Sequence, residues 1–343
     1  MCGTGVSPVW LNGGSREGAL MRECRMMDRV PIERGLFLAI SFACFSAGVT
    51  AQDTSGPAAQ SPSGALGDEA YRLLKRFYDY DRGMPLEARV VGMEDFPGHT
   101  REKVVFRVRD SSVVAYLGIP KSGSPPYPCV LALHGATGDK ADWWKQDGYT
   151  RGGRLTKALL DAGIAVFTPD ARHHGERASD SVLETPAVMI LERGWSSRAR
   201  DMVVETIIED RRALDYLETR PEIDATRIGV IGYSMGGIET FALTVLDSRV
   251  KVAVACVTPE WPDPALSPQG FAGALRDRPF LMQMARHDQF CTMTHAQRLY
   301  DLIPSLQKEL ILYDSDHRLP DEYIPKAAAW LLDGLNGKQG TGP

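Results

Sequence analysis

From Cys129 onward, short and continuously apolar runs alternate with longer segments of helical periodicity, and this order constrains the fold more than any other feature of the 343 residues. The runs are CVLALHG (129–135), IAVFTPD (164–170), RIGVIGYS (227–234), VKVAVACV (250–257), PFLMQMARHD (279–288) and ELILYDSD (309–316). Between and after them, helices are predicted around Gly153 to Ala162, from about Arg198 to Thr219, from about Gly237, from about Thr294, and from about Pro325 to Leu335. Strands without polar alternation are buried on both faces, so the pattern predicts a doubly wound, mostly parallel α/β sheet with helices on both faces. Upstream, the amphipathic segment EAYRLLKRFYDY (69–80) leads into ARVVGM, KVVFRVR and SVVAYLGIP, divided by turn signals at PGH and RDSS. These three stretches predict an antiparallel start to the same sheet.

In such a sheet the binding crevice lies beyond the carboxyl ends of the strands. Those ends carry His134 through Thr137, Asp170 through His174, Ser234, Thr258 through Glu260, Asp288, and Asp314 through His317. Ser234 stands between Gly232 and Gly236 where a strand hands over to a helix. A sharp strand-to-helix turn brings the residues two before and two after it so close that glycine is preferred at both. A serine hydroxyl is a weak nucleophile near neutral pH, so chemistry at Ser234 calls for a base within hydrogen-bond reach and a third group that orients the base.

With GYSMGG following the strand RIGVI, the chain resembles the α/β-hydrolase superfamily from about Glu87 to Leu335. In that family the nucleophilic serine is followed along the chain by an acid and then a histidine. Of the histidines after Ser234 the resemblance selects His317, in the loop DSDHRLP before the last helix, over His287 and His295. It implies Asp288 as the acid, with Glu260 as its rival from the preceding strand; Asp314 and Asp316 are expected to shape the His317 loop. The oxyanion donors implied are the amides of Met235 and of Ala136, the latter after His134-Gly135 in the position of the family's HG signature, with the His134 side chain in support.

TPDARHHGERASD (168–180) is similar to the D-x-R-x-x-G stretch of dienelactone-hydrolase-like and acetylxylan-esterase-like members. His173 and His174 beside Asp170 lack a complete ligand set such as HxHxDH, so no metal and no cofactor is expected. Residues 178–198 are long for a connector and are expected to form a small cap whose apolar wall includes Met189, Ile190 and Trp195. His134, Trp143, Trp144, His174, Trp195 and Trp261 are the candidate substrate-binding residues, since tryptophans near such a site can stack on sugar or aryl groups. The implied function is a serine esterase acting through an acyl-enzyme on a small-molecule or carbohydrate ester. Its alternatives are a prolyl-oligopeptidase-like peptidase and an inactive hydrolase fold used for binding.

Before the fold, Arg22, Arg25, Arg29 and Arg34 precede the apolar run GLFLAISFACFSAGV and the small-residue site Val49-Thr50-Ala51, which together predict a secretory signal over residues 1–51. Met21, Met26 and Met27 are alternative starts for it; cleavage after Ala51 would leave the mature chain secreted or periplasmic, and without cleavage the run is an N-terminal membrane anchor. Residues 52–67 read as a flexible linker, 68–336 as the α/β domain and 337–343 as a disordered tail. Cys129, Cys256 and Cys291 remain in the domain as small apolar residues without ligand spacing. The formal charge of −5, without a long block of one sign, gives no nucleic-acid footprint.

Overall fold

The structure is a computed structural model that describes residues 66–180, 188–189, 196–261, 263 and 265–337. The expected signal, the expected linker up to residue 65, Ile190, Trp195 and the residues after 337 lie outside the described residues, as does most of the expected cap. Nine strands form one sheet in the order β1-β2-β3-β5-β4-β6-β7-β8-β9. They are β1 Arg89–Asp95, β2 His99–Val108, β3 Ser111–Pro120, β4 Tyr127–Leu133, β5 Ala165–Pro169, β6 Ile223–Tyr233, β7 Val250–Cys256, β8 Phe280–Ala285 and β9 Lys308–Tyr313. β1, β2 and β3 run antiparallel and β3 joins β5 antiparallel, whereas β5, β4, β6, β7, β8 and β9 are mutually parallel.

The helices are α1 Asp68–Arg76, α2 Gly152–Asp161, α3 Ser196–Glu218, α4 Met235–Leu246, α5 Pro268–Ala272, α6 Met293–Leu302 and α7 Tyr323–Leu335. Side chains of a strand point alternately to opposite faces, so a run without polar residues must feed two cores. In β4, Cys129, Leu131 and Leu133 join one core with Ile207 and Leu217 of α3 and Ile238 and Phe241 of α4. Val130 and Ala132 join the other, with Leu155 and Leu159 of α2 and Tyr323, Ala327 and Leu331 of α7. In β2 and β3 burial alternates, which is why these two read as half-polar strands. All three cysteines of the domain are buried and free.

This winding fixes where loops diverge. The chain leaves β4 toward β5 and then returns past β4 to β6, whose register sets Leu133 beside Gly232. The switch point therefore lies between the loop after Leu133 and the turn after Tyr233, at the carboxyl ends of both strands.

Candidate active site

Ser234 has φ 58° and ψ −114°, a conformation outside the ordinary regions for a side chain that branches from L-Cβ, and it heads α4. Close approach maintains the turn: a Cβ on Gly232 would overlap the carbonyl of Gly236, and a Cβ on Gly236 would overlap the carbonyl of Leu133. The Ser234 amide donates to the Cys256 carbonyl of β7 at 2.9 Å, and the Gly236 amide donates to the His134 carbonyl at 3.1 Å. The turn at Ser234 is thus tied to both flanking strands. Its hydroxyl stands 2.9 Å from Nε2 of His317, and Nδ1 of His317 stands 2.9 Å from Oδ2 of Asp288. The other oxygen, Oδ1, accepts the Phe290 amide at 2.8 Å. Asp288 follows β8 and its side chain is fully buried, while the exposed Phe290 ring meets the His317 ring edge-on at 4.8 Å.

The remaining candidates for base and acid are placed elsewhere. His287 pairs with Asp314 at 2.8 Å on the surface, and Asp316 accepts the Arg318 amide at 2.8 Å, so both aspartates shape the His317 loop. Glu260, after β7, is exposed and its carboxylate lies 3.2 Å from Nδ1 of the buried His295, whereas Asp288 is the acid on His317 Nδ1.

The loop after β4 brings His134, Gly135 and Ala136 alongside Ser234, with Gly135 facing the serine Cβ. Its shape is set from β5. Nε2 of His134 accepts the Ala171 amide at 3.0 Å, and Nδ1 lies 2.8 Å from the Gly135 carbonyl. His174 spans the Arg172 carbonyl at 2.8 Å and the Ala136 carbonyl at 2.9 Å. Burial, and then the neighbouring His134, push the His174 imidazole down to about 4, so at neutral pH it is neutral and its single N–H donates to one of the two carbonyls. Burial likewise lowers His134. Asp170 is buried and accepts the Lys140 ammonium at 2.6 Å and the Lys140 amide at 2.9 Å. Asp170 and the two histidines therefore serve as braces between the β4 and β5 loops.

Several of the expected substrate-binding side chains are taken up in packing. His134 and His174 are buried with their ring nitrogens occupied by backbone groups, and cannot present them to a ligand. Trp143 is 1% exposed and fills the core on the α2 side, because the helix start at Gly152 packs directly on its indole. Trp144 is used in packing as well: its indole N–H donates to Thr168 at 2.9 Å and its ring covers Gly118 and meets Arg101. Trp261 packs partly buried against the core, and Trp195 lies outside the described residues. The sequence offers a signal for Phe290, because an aspartate commonly binds the amide two residues on.

Comparison with known proteins gives concordant results. The model of the Alpha/beta hydrolase family matches residues 130–336. A putative hydrolase of Bacillus subtilis, YtaP, is 30% identical over 144 residues, covering 41% of this chain and 46% of YtaP. The chain therefore matches about half the length of that relative. A putative esterase of the same organism, YitV, is 25% identical over 246 residues, covering 60% of this chain and 88% of YitV. Among solved structures, Acetyl Xylan Esterase 1 from Thermoanaerobacterium sp. is similar in fold, with a TM-score of 0.62 at 18% identity over 80% of this chain and 95% of that one.

Proposed function

Since the chain belongs to the alpha/beta hydrolase family, we propose that it is an exported serine esterase that cleaves carboxylic esters of small molecules or carbohydrates through an acyl-enzyme. The observation that carries this reading is the continuous hydrogen-bonded chain from Ser234 through His317 to Asp288 at a serine held with φ 58°. Ser234 Oγ attacks the ester carbonyl while His317 Nε2 takes its proton; Asp288, on the opposite nitrogen, steadies the imidazolium. Negative charge on the former carbonyl oxygen is met by the amides of Met235 and Ala136, which need no change of protonation to act. Collapse of the tetrahedral species returns the proton to the leaving alcohol. Water, activated by the same imidazole, then releases the acid and restores Ser234.

Support for an ester substrate comes from the names of the relatives, a putative esterase in one case and an acetyl xylan esterase in another. Acetylated sugars are accordingly the first natural esters to assay. Export rests on the arginines, apolar run and small-residue site of residues 22–51. A fluorophosphonate probe is expected to label the wild-type protein and leave Ser234→Ala unlabelled, with hydrolysis of nitrophenyl acetate lost in the same variant. Folded wild-type protein that neither labels nor hydrolyses short esters would refute the proposal.

A further inference from the structure

We infer that Tyr233 is a positioning residue that holds the His317 loop in register with the nucleophile. This inference rests on the esterase reading of the same site. Tyr233 precedes Ser234, and its ring is directed away from the turn into the core beside β7 and α7, where it is 2% exposed. Its hydroxyl is used twice: it donates to the His317 carbonyl at 2.9 Å and accepts the Leu319 amide at 2.9 Å. One phenol oxygen thus bridges the peptide groups on either side of Arg318. Arg151 completes the hold by donating to the Leu319 carbonyl.

The consequence follows from the covalent chain. Adjacent Cα atoms across a trans peptide are separated by a fixed distance of about 3.8 Å, so the Tyr233-Ser234 pair carries the nucleophile on one residue and the clamp on the base on the other. Ser234 is itself fixed through its amide to Cys256. Asp288 and Phe290 act on the imidazole ring, whereas Tyr233 acts on the backbone from which the ring departs. The Tyr233 ring also meets the His317 ring edge-on, 6.2 Å between centroids, which limits its swing. Burial pushes the phenol far up, so the hydroxyl keeps the proton it gives to the His317 carbonyl throughout the working pH range.

Tyr233→Phe removes this oxygen and little else. The control is Tyr323→Phe, which deletes another buried tyrosine hydroxyl, one bound to the Thr150 carbonyl, with its ring 6.0 Å from that of Tyr233. For Tyr233→Phe, kcat on nitrophenyl acetate is expected to fall roughly tenfold to a hundredfold, the scale of an ångström-sized misplacement of a catalytic group. KM should stay near wild type. The downfield proton resonance of His317 Nδ1 should weaken or shift upfield, while Tyr323→Phe keeps wild-type values of all three.

Unchanged kcat and resonance in Tyr233→Phe, or equal losses in both variants, would overturn the inference. Should Tyr233→Phe fail to fold, amide exchange in the wild-type protein decides: protection of the Leu319 N–H supports the clamp, and exchange at the rate of open loop amides rejects it. Failure of the wild type to hydrolyse esters or take the fluorophosphonate would count against the esterase reading. The His317 resonance and Leu319 exchange, read without substrate, would still report on Tyr233.

Discussion

The Phe290 amide binds one oxygen of Asp288 at 2.8 Å and leaves the other, 2.9 Å from His317, aligned with the imidazole. Glu260, one strand over, is engaged with His295. Asp288→Asn would give His317 a neutral partner and favour the wrong tautomer, so kcat should drop by about three to four orders of magnitude with the fold intact. Glu260→Gln should leave kcat within about twofold, as expected for a surface substitution away from the reacting atoms. Steady-state kinetics on a nitrophenyl ester with both variants checks the assignment, and the reverse order of losses would transfer the acid role to Glu260.

The strained turn makes a separate demand on stability. A methyl group at Gly232 would meet the backbone of Gly236 rather than a movable side-chain end, so the two segments can relieve it only by separating. Gly232→Ala should therefore cost about 1–3 kcal/mol or more, read as a lowered urea midpoint. Activity should fall further than the loss of folded protein explains, since the displaced segment carries Ser234. A variant with wild-type midpoint and kcat would show that the close approach is dispensable.

Sequence and structure agree most where one chemical demand leaves one solution. Runs such as CVLALHG can only be strands buried on both faces, and Cys129 and Val130 duly enter opposite cores. The turn at Ser234 was legible because close backbone approach requires glycine at both 232 and 236. Side-chain destinations were much less legible. Trp143 and Trp144 follow the β4 loop in sequence, yet the 3₁₀ turn Lys140–Trp144 rotates them onto α2 and β3. His134 and His174 lie 40 residues apart, so their joint bracing of one loop depends on the β4–β5 pairing and leaves no local pattern. The reach of Tyr233 to His317 is hidden for the same reason.

His174 gives the fold an acid limit. Its neutral imidazole is buried, and its folded pKa is lowered from 6.5 to about 4, chiefly by burial. Between those values the unfolded chain binds a proton that the folded protein refuses. Stability is thus fully present above about pH 6.5 and is lost as the pH falls toward about 4, by an amount on the order of 3 kcal/mol. His174→Asn removes the titration, so urea midpoints measured from pH 7 to pH 4 should fall less steeply than in the wild type. Parallel curves would mean that His174 takes up its proton as readily in the folded protein as in the unfolded chain.

At the alkaline side the limit comes from Glu239 of α4 and Asp210 of α3, both buried. Burial raises each well above the ordinary carboxylate range; Asp210 and then Glu209 add to the effect at Glu239, while Glu209 adds to it at Asp210. The adjacent Glu209 already has a cation, since Arg177 binds it through two contacts of 2.7 Å. By contrast, Oδ2 of Asp210 and Oε1 of Glu239 have no hydrogen-bond partner among the described residues. The folded protein therefore keeps protons that the unfolded chain releases once the pH passes the ordinary carboxylate pKa. This contribution is complete below that pKa and declines as pH rises through the raised folded values. Glu239→Gln keeps the shape and removes both the proton and the repulsion, so its melting temperature should exceed that of the wild type increasingly from pH 6 to pH 9. Each kcal/mol relieved corresponds to roughly 2–4 °C in a domain of this size. A variant that melts below the wild type across that range would show that Glu239 is ionised and compensated in the native core.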